Sequence, residues 1–284
     1  IQNSYCITQM NGVAIIDDSP IKYNINPVGI VCTGNSIGLD GSQVGVTYQL
    51  LLNGTINMGL PVAGTGSPVS FGAQTIDGAY SVRAVNNVTG CNAIMEGISN
   101  LVPLPVAYQV APAGNHCAGT SISLTNSETN FNYILVLNGS INIDTIAGTG
   151  AGIDFGPQIT AGTYTIAAFS SSTFCFTNMS GSSIIDARPI QYNLTPAGFA
   201  CSGDALGLTN SETGVTYQLR RDGITNVGAI VSGTGSAISF GVQNIPGIYS
   251  IEAVGSNGCH AIMADSVTLQ PHPIAFTVLT AGIH

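Results

Sequence analysis

The chain repeats itself with a period of 84 to 85 residues, and this constrains its fold more than any motif. Tyr23, Tyr108, Tyr192 and Phe276 open successive units. Cys32, Cys117 and Cys201 follow nine residues after the three tyrosines, and Cys91, Cys175 and Cys259 close the units. Three whole repeats fill 23–107, 108–191 and 192–275. Residues 1–22 match the tail of a preceding unit, with Cys6 lying 85 before Cys91, and residues 276–284 match the head of a following one. Self-similarity at a fixed period points to a modular array, and the ragged ends are expected of a segment cut from a longer one.

Only 19 of the 284 residues are charged, so the polar surface must be built from Ser, Thr, Asn, Gln and the 36 Gly. That mixture suits strands and turns, not helices. A net charge of −9 with five Lys and Arg in total argues against nucleic acid, whose binding needs clustered cations. Apolar stretches are all broken by Gly, Asn or Pro well short of about 18 residues, so no membrane insertion is expected of this segment. It starts without Met and carries no signal peptide, which places targeting information elsewhere.

Alternation at period two marks the strands. It gives Ile37, Leu39, Tyr48, Leu50, Val69, Phe71, Tyr80, Val82 and Ala84 as the core of the first unit. In the second the series is Ile122, Leu124, Tyr133, Leu135, Ile153, Phe155, Tyr164, Ile166 and Ala168. The third has Leu206, Leu208, Tyr217, Leu219, Ile238, Phe240, Tyr249, Ile251 and Ala253. Asn53-Gly54, Asn138-Gly139 and Asp222-Gly223 end the third strand of each unit, where a tight hairpin needs positive φ. About seven short antiparallel strands per 85 residues predict an all-β chain of tandem immunoglobulin-like sandwiches. Gly78-Ala79-Tyr80, Gly162-Thr163-Tyr164 and Gly247-Ile248-Tyr249 fall where that fold has its tyrosine corner. Tyr48, Tyr133 and Tyr217 replace the usual core Trp, which this chain lacks.

Seven regularly spaced cysteines predict disulfides and an oxidising, extracellular setting. Within a unit the pairs would be Cys32–Cys91, Cys117–Cys175 and Cys201–Cys259. Strand direction favours a different scheme. The first cysteine of a unit lies between its first two sandwich strands and the last in the turn after strand F, at opposite ends. A strand of about seven residues spans some 23 Å, whereas a disulfide needs Cα atoms within about 7 Å. Pairing between successive units, Cys32–Cys175 and Cys117–Cys259, is therefore preferred, leaving Cys6, Cys91 and Cys201 to cysteines outside the segment.

No enzyme chemistry emerges, and no cofactor is expected. His116, His260, His272 and His284 share no repeat position, and no CxxC or HxxxH spacing points to a metal. The segments Gly64-Thr65-Gly66, Gly148-Thr149-Gly150 and Gly233-Thr234-Gly235 precede strands and so lack the helix N-terminus that would hold phosphate. Beside the core positions of strand C lie Gln49 and Leu51, then Ile134 and Val136, then Gln218 and Arg220. Leu51, Ile134 and Val136 would form an apolar contact patch if exposed; the alternative is a face covered by a neighbour, which is the favoured reading.

The run from Cys201 through Gly207-Leu208-Thr209, Gly214-Val215-Thr216-Tyr217-Gln218-Leu219, Gly233-Thr234-Gly235-Ser236, Phe240-Gly241, Gly247-Ile248-Tyr249-Ser250 and Gly258-Cys259 resembles tandem repeats of giant Bacteroidota surface adhesins. These are the SprB-type gliding-motility proteins and other type IX-secreted repeat proteins. The resemblance covers the whole chain, with Phe174-Cys175-Phe176 departing from the Gly-Cys turn. It implies a secreted, surface-attached filament with adhesion as its role and no catalysis. Expected partners are neighbouring repeats of the same chain and surface polysaccharide or other cell-surface ligands. Asp144-Thr145-Ile146 and Asp265-Ser266-Val267 resemble the O-glycosylation triplets of such organisms, which implies sugar on Thr145 and Ser266. Two alternatives stand beside this reading: a carbohydrate-binding array on a secreted enzyme, and a fibre subunit whose strands at 1–22 and 276–284 complete neighbouring molecules.

Overall fold

The computed structural model describes residue 12 and residues 16–273, and among these every regular element is a β-strand. In the first repeat the strands are β1 (Ile25–Asn26), β2 (Gly29–Cys32), β3 (Ser36–Leu39), β4 (Val46–Leu52) and β5 (Ile56–Ala63). They continue as β6 (Val69–Ala73), β7 (Gly78–Asn86), β8 (Asn92–Ile94) and β9 (Ser99–Val102). A three-stranded sheet runs β1-β3-β6, and a larger one runs β2-β9-β7-β4-β5 with β8 also on β7. Pairing is antiparallel except between β2 and β9, which run parallel. Both sheet orders recur in the second and third repeats, and they are those of an immunoglobulin-like sandwich. By compactness the chain forms two units. One holds the first repeat with residues 130–132 and 168–178, and the other holds 108–129, 133–167 and the residues from 179 onward.

The strand ending at Asn53 is the fourth, not the third as alternation suggested, because the opening strand is split. Between β1 and β2 the chain passes from one sheet to the other at Pro27, a residue with no N–H to offer either ladder. Pro112 and Pro196 stand at the same place, and all three X-Pro bonds are cis. Alternation cannot reveal a change of sheet, because the residues on both sides of it still alternate.

Sequence and turn geometry agree at the hairpin after β4. Asn53 and Gly54 have φ of 50° and 74°, as the centre of a type I′ turn demands, and the Thr55 N–H donates across it to the Leu52 carbonyl at 3.3 Å. Asn53 also accepts, through Oδ1, the N–H of Ala79 at 3.1 Å, tying the hairpin to the start of β7. Asn138 does this for Thr163 at 2.9 Å and Asp222 for Ile248 at 2.9 Å. A short side chain with an acceptor oxygen and tolerance of the left-handed region is required, which Asn and Asp both meet.

Two tyrosines lock each sandwich. Tyr80, Tyr164 and Tyr249 are buried, and their hydroxyls donate to the carbonyls of Ile76, Thr160 and Ile245 at 2.9, 2.9 and 2.8 Å. Tyr48, Tyr133 and Tyr217 instead accept, from the N–H of Gln43, Glu128 and Glu212 at 2.8, 2.8 and 2.9 Å. The Gly-Thr-Gly segments press against this second bond: a Cβ on Gly64 would lie 2.0 Å from the Gln43 carbonyl oxygen. Ser42 completes the turn by accepting the Thr65 N–H at 2.9 Å.

Around these anchors lie Ile37, Leu39, Leu50, Val82 and Ala84, all buried. Burying a large apolar side chain is worth about 1.5–3 kcal/mol. Val69, Phe71 and Phe240 are only partly buried and pack on the margin of their clusters, so the core is smaller on that side than alternation indicated. Alternation also passed over Met95, Met179 and Met263, which are buried. The sulfurs of Met95 and Met179 each accept the N–H of the tyrosine that opens their unit, at 3.4 Å. Their common spacing of 84 is visible in the sequence and could have found them.

Candidate functional site

Strand β2 runs parallel to β9 and ends at Cys32, opposite Val102. The equivalent strand of the second repeat ends at Cys117, opposite Asp186. These cysteines therefore stand at the end of the sandwich where the chain leaves for the next repeat. The closing cysteines sit in the turn after the β7-type strand. In that turn Asn86, Ser170 and Gly255 donate their N–H to the carbonyls of Cys91, Cys175 and Cys259 at 2.8, 3.0 and 2.9 Å. Preceding each cysteine is a residue with positive φ: Gly90, Phe174 and Gly258, at 72°, 58° and 79°. Phe174 thus holds a glycine conformation at a cost, with its ring 83% exposed.

The structure contains two disulfides, Cys32–Cys175 and Cys117–Cys259, with Cα separations of 5.6 and 5.5 Å. The alternative scheme within units is not formed. Cys32, Cys117, Cys175 and Cys259 are engaged between one sequence repeat and the next, and Cys91 and Cys201 carry free thiols. Cys91 lies half-buried with its Sγ 3.8 Å from the Asp17 carbonyl oxygen, whereas Cys201 is exposed. Cys6 is outside the described residues.

Polar contacts reinforce the Cys117–Cys259 bridge. Arg188, in the segment after the second repeat's last strand, donates from Nε to the Ala118 carbonyl at 2.7 Å and from Nη1 to the His260 carbonyl at 2.8 Å. It thereby joins the residue after one bridged cysteine to the residue after the other. Asn257 donates to the Ala187 carbonyl at 3.0 Å, and Gln191 to that of Ile262 at 2.7 Å. Sequence reading missed Arg188. The equivalent position in the first repeat is Leu104, so the period gives no warning of it.

A groove of about 580 Å³ opens beside this contact, lined by Arg188, Pro189, Gln191, Glu252, His260 and Ile262. Glu252 pairs with Arg220 through one carboxylate oxygen, and its other oxygen lies 2.9 Å from His260 Nδ1. With both oxygens engaged the carboxylate acts as a fixed acceptor, and its pairing with the partly exposed Arg220 is worth at most about 1 kcal/mol. Nothing in the groove pairs a nucleophile with a base.

The strand C patch needs correction. Leu51 is only 2% exposed and cannot contact a partner, and Gln49 beside it is buried with its amide donating to the carbonyls of Leu50 and Met58 at 2.9 and 3.1 Å. Ile134 and Val136 are half-buried. Thr145, on the strand Ile141–Ala147, and Ser266 are exposed. His116 lies 3.1 Å from the Ala113 carbonyl through Nε2. His284 and the residues from 276 are outside the described residues. Among the described residues no three His, Cys, Asp or Glu side chains gather as a metal site would require, and no helix is long and apolar enough to cross a membrane.

No family model and no curated protein matches this chain. It is similar to solved extracellular domains 3–5 of Drosophila OTK, with 12% identity over 90% of this chain and 99% of that one and a TM-score of 0.29. The ICAM-5 D1–D4 ectodomain fragment shows 10% identity over 91% and 79%, at a TM-score of 0.32. SGBP-B of the Bacteroides ovatus mixed-linkage glucan utilization locus, solved with a mixed-linkage heptasaccharide, shows 12% identity over 91% and 69%, at 0.23. At such low similarity the immunoglobulin-like assignment rests on the sheet order and the tyrosine corners of this chain itself.

Proposed function

We propose that this chain is a non-enzymatic, extracellular repeat segment of a long cell-surface adhesin or filament, of the type IX-secreted Bacteroidota kind. Residues 23–107, 108–191 and 192–275 serve as its repeating modules. The observation that carries the reading is the covalent joining of successive repeats by Cys32–Cys175 and Cys117–Cys259. Modules in a tether gain from such bridges a resistance to separation. Disulfides of this kind persist in oxidising surroundings, in keeping with an extracellular site. Few charges and many hydroxyl and amide groups suit a polar partner such as surface polysaccharide.

Adhesion is tested by coating beads with the full chain and measuring rupture from polysaccharide-coated surfaces. Specific rupture that soluble polysaccharide abolishes is expected; retention no greater than that of an unrelated β-sandwich protein overturns the adhesive role. Within this reading Thr145 and Ser266, both exposed, carry O-linked sugar. An intact mass of native material equal to that of the bare polypeptide would remove the modification without touching the rest.

A further inference from the structure

The two disulfides overlap along the chain. Cys32 is joined to Cys175 and Cys117 to Cys259, so each bridge starts or ends inside the loop that the other closes. We infer that this interlock is a load-bearing bypass: an oxidised chain pulled from its ends carries force through residues 117–175 and its outer segments, while 33–116 and 176–258 are shielded.

Covalent connectivity sets the reach. Ile1 to Cys32 is 31 steps, Cys175 back to Cys117 is 58, and Cys259 to His284 is 25, so the taut route has 114 steps where the open chain has 283. The forward route from Cys175 to Cys259 is 84 steps, longer than the backward 58, so the backward one tightens first. At about 3.3–3.6 Å per residue the oxidised chain stops near roughly 390–420 Å, and the open chain near roughly 930–1,020 Å. Strands β3 to β9 lie in the first shielded stretch, with Tyr48 and Tyr80. Tyr217 and Tyr249 lie in the second. Most of two sandwich cores is therefore spared direct extension, however hard the chain is pulled.

Overlap has a consequence that separate loops lack. With Cys32–Cys175 alone the taut route is 140 steps, and with Cys117–Cys259 alone it is 141. Cutting the first bridge, whichever it is, thus frees only 26 or 27 steps, and cutting the second frees 142 or 143. A dithiol such as dithiothreitol does this chemistry: it gives two electrons and two protons to the S–S bond, two cysteine thiols form, and the reagent closes to a cyclic disulfide.

Single-molecule stretching of the full chain, with free thiols alkylated beforehand and dithiothreitol present in the cell, tests the inference. The expected trace has a small gain of roughly 85–100 Å followed by a large one of roughly 470–520 Å. Cys117→Ser and Cys32→Ser variants should each show the large gain alone. Two equal gains, or an oxidised chain that lengthens past roughly 420 Å, would overturn it. The readout is contour length after unfolding, so a variant of lowered stability still decides the matter. The inference needs the connectivity and not the adhesive role, so a chain that binds no polysaccharide tests it equally well.

Discussion

Cys117 and Cys259 stand 142 residues apart in sequence with their Cα atoms 5.5 Å apart, and Arg188 hydrogen-bonds the carbonyl of the residue following each of them. Closing a loop of that length removes much freedom from the unfolded chain. In the chain-entropy model the effect is about 5 kcal/mol. Reduction, or Cys117→Ser, should therefore lower the melting temperature measurably. Unchanged melting in dithiothreitol, with all thiols shown to react, would contradict a stabilising role.

Gly148 is expected to refuse any side chain. A Cβ there would lie 2.0 Å from the Glu128 carbonyl oxygen and 2.9 Å from the Tyr133 ring. Backbone cannot yield cheaply, so Gly148→Ala should cost roughly 3 kcal/mol, at the upper end of overpacking effects. Thr149→Ala is a milder companion. Equal urea midpoints for the two variants would show that the turn relaxes.

Phe174 predicts a gain. It adopts a φ of 58° with its ring largely in solvent, so Phe174→Gly removes strain and sacrifices little burial. The left-handed penalty of about 1–2 kcal/mol outweighs glycine's entropic cost of about 0.5–1 kcal/mol. A slightly raised melting temperature is expected, and a fall would mean that the ring packs against something useful.

Alkaline pH should unfold the chain through its buried tyrosines. Burial raises the pKa of Tyr48, Tyr80, Tyr133, Tyr164 and Tyr217 above the ordinary 10.0. A raised folded pKa means that the native state holds these protons more tightly than the unfolded state. The resulting stability is full below pH 10 and is lost as pH climbs through the folded values. Phenolate absorbance should then rise in step with loss of the sandwich signal; ionisation of all the tyrosines near pH 10 with the fold intact would count against this.

The two described free thiols should differ in reactivity. Cys201 is exposed, whereas Cys91 is half-buried against the Asp17 carbonyl. Brief alkylation of the native protein followed by peptide mapping should find Cys201 modified first. Equal labelling would show that Cys91 is open.

Legibility in the sequence followed the physics of each feature. Tyr48, Tyr80 and their equivalents were readable because a repeated aromatic at a strand position has few roles other than packing. Asn53-Gly54 was readable because positive φ at two successive residues is chemically selective. The small β1–β3–β6 sheet was partly hidden, since the crossing at Pro27 keeps the alternation intact. Arg188 was invisible for a different reason: it sits in a linker with no period of its own, and its partners are backbone carbonyls that any residue offers. Leu51 stood in between: alternation assigns a face and says nothing about what covers it, and the covered face favoured from the sequence is the one in which Leu51 lies.

By itself the sequence determined the all-β class, the hairpin turns and the tyrosine anchors, since these depend on local backbone preference and on burial at period two. Tertiary structure decided which cysteines meet, which residues brace the bridged ends, and how the groove at Glu252 and His260 is lined. The bridges and their bracing hydrogen bonds join residues 70 or more apart, and the interaction between them depends on where whole sheets come to rest, a distance no local pattern encodes.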